Sequence, residues 1–155
     1  MALRDDFNNA MKDAMRAKET KRLATVRLIL SALKDRDIAA RTEDSREGID
    51  DGKILDMLGK MIKQREESAA AYDAGKRPEL AAGEREEIEI IRSFMPKQMS
   101  DGEIRAAIEA AIAEAGATQM KDMGRVVALL RARYAGQMDF GKASAIAKEL
   151  LSAPK

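Results

Sequence analysis

The stretch Met95-Pro96-Lys97-Gln98-Met99-Ser100 constrains this chain more than any other. Proline has no N–H to donate, and its ring disfavours helical backbone at the residue before it. A helix arriving from the N-terminal side is therefore expected to end at Met95. Ser100 followed by Glu103 has the pattern of a capping box, a hydroxyl for one orphan N–H and a carboxylate reaching back for another. One helix stops and another starts within this stretch. The spacing predicts an N-terminal domain over 1–94, a linker over 95–99 and a small C-terminal domain over 100–155.

Helical periodicity runs through both parts. Leu3, Phe7, Ala10, Met11 and Ala14 recur three and four apart, which gives one face of a first helix ending near Lys18. Thr20 opens a second helix to about Arg41, with Leu23, Val26, Ile29, Leu30 and Leu33 as its apolar arc. Residues 42–51 are polar and aperiodic and read as a loop. Asp50 or Asp51 then caps a third helix, with Ile54, Leu58, Met61, Ile62, Ala69 and Tyr72 on one face. Gly75 suits a stop and Pro78 the first turn of a fourth helix to Phe94, with Leu80, Ile88 and Ile91 inward. The tail reads as three short helices, centred on Ile104–Ile112, Val126–Leu130 and Phe140–Leu150. The expected fold is all-α.

Composition points the same way. Aromatic residues are 3% of the chain against 45% apolar overall, so Leu, Ile, Ala and Met must build the core. Sheets are enriched in aromatic and β-branched residues. There is no Cys and no His. Disulfides and thiolate chemistry are excluded, and the commonest metal ligand and general base are missing. No glycine-rich phosphate loop or zinc-helix motif is present. The dense glutamates Glu84, Glu86, Glu87 and Glu89 read as a solvated helix face. The sequence thus predicts no catalytic residues, no metal and no cofactor. It shows no long apolar span and no signal-peptide-like start, so the cytoplasm is the expected location.

A formal net charge of +1 argues against a strongly basic nucleic-acid binder. Two places on the chain still carry informative charges. Arg27 lies at the edge of one apolar arc and Arg65 in the middle of another, while Glu84 and Glu87 intrude on the fourth helix. Charges there must snorkel, pair or serve a ligand. A structural ion pair between helices is the economical reading; a ligand-binding arginine pair is the alternative. In the tail, Lys121 and Arg125 are four apart and flank Gly124, where a helix should begin. Exposed helix starts attract anions through free N–H groups. A second such start follows at Asp139-Phe140-Gly141-Lys142. The competing reading is that Gly124 and Gly141 only let short helices cross closely.

Five pieces in order resemble the GatB/YqeY family over essentially the whole length. They are Arg27-Leu28-Ile29-Leu30-Ser31-Ala32-Leu33-Lys34, Lys63-Gln64-Arg65-Glu66-Glu67-Ser68, Tyr72 with Ala74-Gly75-Lys76-Arg77, the Met95–Ser100 stretch, and Lys121-Asp122-Met123-Gly124-Arg125-Val126. The tail is similar to the C-terminal domain of the B subunit of tRNA-dependent amidotransferase. That enzyme amidates Glu-tRNA(Gln) or Asp-tRNA(Asn) with glutamine as donor. In it the corresponding tail helps to hold tRNA while chemistry occurs elsewhere. The usual Asp-Gly-Lys of the last turn stands here with Phe140 before Gly141.

The resemblance implies an RNA-binding accessory protein with tRNA as partner. Lys121, Gly124, Arg125 and Lys142 would meet the RNA, and Arg131 and Arg133 would add charge. Two other classes follow from the same family. One is an adaptor docking an amidotransferase or an aminoacyl-tRNA synthetase. The other is a carbon–nitrogen ligase activity shared with relatives, for whose kinase-like catalytic domain 155 residues leave no room.

Overall fold

The computed structural model describes residues 2–42 and 47–152. Among them are seven α-helices, one short 3-10 turn and no strand, an all-α protein. The chain divides into two compact units, 1–95 and 96–155.

The first unit holds α1 (Ala2–Ala17), α2 (Thr20–Ala39), α3 (Asp51–Ala74) and α4 (Pro78–Arg92). α1 packs on α2, and α4 packs along α3 and against α2. The α1–α2 corner turns on Lys18 in the left-handed region (φ 57°), while the Glu19 N–H donates back to Ala14 O at 2.9 Å. Asp50 caps α3 by accepting from the Lys53 N–H at 2.9 Å. Gly75 ends that helix with ordinary negative φ, and the following Lys76 makes the left-handed turn (φ 59°). Phe7, Ile29, Ile54, Met57, Leu58 and Ile91 form the dry centre. Phe94 closes it, edge-on to Phe7 with ring centroids 5.0 Å apart, a favoured aromatic arrangement.

Leu80 departs from the expected inward face. It is 44% exposed, and its neighbour Ala81 is fully buried. With Pro78 in the first turn of α4, the phase of the helix puts the small residue against the core. Leu28, outside the expected arc of α2, is 47% exposed.

Of the expected loop, residues 43–46 lie outside the described residues, and Ile49 is tied down by polar contacts. Arg4 donates from Nη1 and Nη2 to Asp37 at 2.6 and 2.8 Å and from Nη2 to Ile49 O at 2.8 Å. Asp37 also accepts from the Ile49 N–H at 2.9 Å. Gly48 passes so close that a Cβ there would lie 2.2 Å from Arg4 Nη2. Only glycine fits without moving that pair.

The second unit holds α5 (Asp101–Ala115), the 3-10 turn Met120–Asp122, α6 (Met123–Tyr134) and α7 (Phe140–Ser152). Ser100 and Glu103 form the capping box: the Glu103 N–H donates to Ser100 Oγ and the Ser100 N–H to Glu103 Oε1. Gly116 ends α5 in the left-handed conformation (φ 62°), where glycine carries no side-chain penalty. Ile104, Ile108, Ala111, Val126, Leu130 and Ala147 make the core. Residues 98 and 99 bond to this unit: the Met99 N–H donates to Gln137 O at 2.9 Å and Gln98 Nε2 to Gly136 O at 2.6 Å.

Candidate nucleic-acid interface

α6 grows out of the 3-10 turn, and Asp122 organises that start. Its Oδ2 accepts the N–H groups of Thr118 and Gln119 at 3.0 and 3.1 Å. Its Oδ1 accepts from Arg125 Nη2 at 2.6 Å. The Thr118 N–H first, then Arg125 and the Gln119 N–H, hold the Asp122 carboxyl well below its usual range, at about 2. Asp122 is itself buried. It is the anion at this helix start, so these two N–H groups have no free donor for a phosphate.

The side chains around it are open. Lys121 and Gly124 are exposed, and the Arg125 side chain is 63% exposed. A Cβ added at Gly124 would meet nothing within 4 Å. Among the described residues of this unit, close crossing of helices therefore does not explain that glycine. What the corner offers is two exposed cations beside a backbone that can be approached closely.

The other expected cations point elsewhere. Arg131 sits over the Phe140 ring, 4.7 Å from its centroid, a cation–π contact that also covers buried Phe140. Arg133 reaches α5 and donates to both oxygens of Glu114, at 2.6 Å from Nη1. This bidentate bond lowers the Glu114 carboxyl and raises the Arg133 guanidinium. Arg131 and Arg133 lie about 200° apart around α6, on opposite sides. Lys142 donates to Asp101 at the start of α5. The second helix start is also occupied, since Asp139 Oδ1 accepts the Gly141 N–H at 2.8 Å. Of the six expected residues, Lys121, Gly124 and Arg125 share one corner, while Arg131, Arg133 and Lys142 are each engaged by a different partner.

In the first unit the intruding charges separate. Arg65 Nε donates to Glu87 Oε2 at 2.9 Å, and Lys21 Nζ reaches Glu87 Oε1 at 3.3 Å. Glu84 is half-buried outside this pair, and Arg27 is exposed. Lys21 carries no sequence signal, because it precedes the apolar arc of α2. Among the described residues no cluster of three metal-ligating side chains occurs, and no helix is long and apolar enough to cross a membrane.

The family described as Yqey-like protein matches residues 4–151. Altered inheritance of mitochondria protein 41, mitochondrial, from Saccharomyces cerevisiae (strain ATCC 204508 / S288c) is 35% identical over 85 residues, 55% of this chain and 44% of that protein. The protein of the same name from Lachancea thermotolerans is 33% identical over 102 residues, 66% of this chain and 49% of its own length. That from Kluyveromyces lactis is 33% identical over 84 residues, 54% and 43%. The matched stretch spans less than half of each of these relatives.

Proposed function

Because the chain belongs to the Yqey-like protein family, which is related to the C-terminal domain of the amidotransferase B subunit, we propose that it is an accessory protein that binds tRNA through its second unit. The observation that carries this reading is the corner at the start of α6. Two exposed cations, Lys121 and Arg125, flank a glycine whose missing side chain faces open space. Lysine and arginine in such a place contact phosphates, which position a nucleic acid without reading its bases. Because Asp122 takes the N–H groups of Thr118 and Gln119, the contact is made by side chains. About two such contacts give weak binding, in the range of non-specific association. RNA shape or a partner enzyme such as an amidotransferase supplies the remainder.

One observation favours a second reading, an adaptor that docks an amidotransferase or an aminoacyl-tRNA synthetase through the first unit. Arg27 and Leu28 open the family-like stretch of α2, and both are exposed, so packing within the chain does not explain them. Isolation of the full chain from its own cells, with and without ribonuclease, separates the readings. Recovery of tRNA-sized RNA that ribonuclease removes supports tRNA binding. Recovery of an amidotransferase or synthetase that survives ribonuclease, without RNA, supports the adaptor.

A further inference from the structure

Two carboxylates of the second unit, Glu114 and Asp101, hold cations expected to meet RNA. Asp122 builds the start of α6. Glu114 and Asp101, at opposite ends of α5, build nothing of that kind, yet each holds a cation from another helix. Arg133 of α6 donates from Nη1 to Glu114 Oε2 at 2.6 Å and from Nη2 to Oε1 at 2.5 Å. Lys142 of α7 donates to Asp101 Oδ1 at 2.5 Å. The side chains are 45% and 50% exposed in the first pair and 50% and 83% in the second.

A two-pronged bond to a carboxylate uses the same guanidinium fork that takes a phosphate. Glu114 therefore takes both Nη groups of Arg133 away from RNA, whereas Asp122 takes Nη2 of Arg125. Exposed ion pairs are weak in water, so a phosphate can compete for the cation. We propose, resting on the tRNA reading above, that Glu114 is an intramolecular phosphate mimic. It forms an autoinhibitory contact that keeps Arg133 on α5, and Asp101 does the same for Lys142. RNA engages these two cations only by displacing the α5 carboxylates. Their shared hydrogen bond is the first cause that lowers the Glu114 carboxyl and raises the Arg133 guanidinium.

The test is binding of bulk tRNA to the full chain at low salt, read by fluorescence anisotropy. The proteins are wild type, Glu114→Gln, Arg133→Gln and the double variant, each checked for folding by circular dichroism. Release of Arg133 predicts about two- to fivefold tighter binding for Glu114→Gln. That gain should vanish when Arg133 is already Gln. A gain of the same size in the Arg133→Gln background would be a general charge effect and overturns the contact. Unchanged or weaker binding by Glu114→Gln also overturns it, and both results leave the tRNA reading standing if wild type binds. If neither wild type nor Glu114→Gln binds, the contact and the tRNA reading fall together. Binding by Glu114→Gln alone would support the contact in its strongest form. Should Glu114→Gln not fold, Asp101→Asn with Lys142→Gln makes the same cycle at the other end of α5.

Discussion

Arg65 of α3 and Glu87 of α4 meet at 2.9 Å, with their side chains only 15% and 21% exposed. Arg65 also donates to Met61 O at 3.1 Å, and Glu87 takes a second cation, Lys21, at 3.3 Å. The pair thus joins three helices across the edge of an apolar core. Exposed pairs are worth about 0–1 kcal/mol, and loss of one partner of a fully buried pair costs about 3–5. At this intermediate burial, Arg65→Ala should cost roughly 1–3 kcal/mol in urea unfolding. A loss below about 0.5 kcal/mol would mean that the pair is solvated like a surface one.

Gly48 gives a test of the loop. An added Cβ would meet Arg4 Nη2 at 2.2 Å and Asp37 Oδ1 at 2.5 Å. Gly48→Ala must push apart a bidentate pair that also holds Ile49. The expected cost is about 1–2 kcal/mol. Arg4→Ala made in the Gly48→Ala background should then cost clearly less than it does in wild type. Additive losses would show that the glycine and the pair are independent.

Ile108 is fully buried in the second core. Ile108→Ala should destabilise by about 2–5 kcal/mol, with loss of the cooperative melting of that unit. A change under about 1 kcal/mol would contradict its central place.

Asp122 sets a pH dependence of known sign. Its pKa is lowered from 3.8 to about 2, first by the Thr118 N–H and next by Arg125. A carboxyl lowered on folding contributes its full stability above the unfolded value, and loses it as pH falls through the folded one. The contribution is therefore complete above about pH 4 and fades down to about pH 2. Asp122→Asn should be less stable than wild type at pH 6, and the gap should close by pH 2. Melting curves by circular dichroism at the two pH values measure it, and a gap of equal size at both would contradict the assignment.

Strong local signals made much of the fold legible. The Ser100/Glu103 box, the Asp50 cap and Pro78 in the first turn of α4 each act within one turn of chain. Phase was less legible. Leu80 and Ala81 differ by one position in α4, and both satisfy an apolar pattern, but packing admitted the smaller. The start of α6 was hidden for another reason. A buried aspartate that accepts N–H groups three and four residues before it looks, in sequence, like any acidic residue beside a lysine. Its signal was the spacing of Gln119 and Asp122. The separate destinations of Arg131 and Arg133 follow from helical geometry alone, whereas their partners on α5 and α7 needed the tertiary structure.

The corner at Lys121, Gly124 and Arg125 is the centre of the functional account, and binding of bulk tRNA across a salt series tests it most directly. Wild type should bind weakly at low salt and lose about 0.7–0.9 log units of affinity per phosphate contact for each tenfold rise in salt. Lys121→Glu/Arg125→Glu, folded by circular dichroism, should bind more weakly with a slope lower by about two contacts. Unchanged affinity and slope in that variant, or no binding by wild type at low salt, would contradict the account.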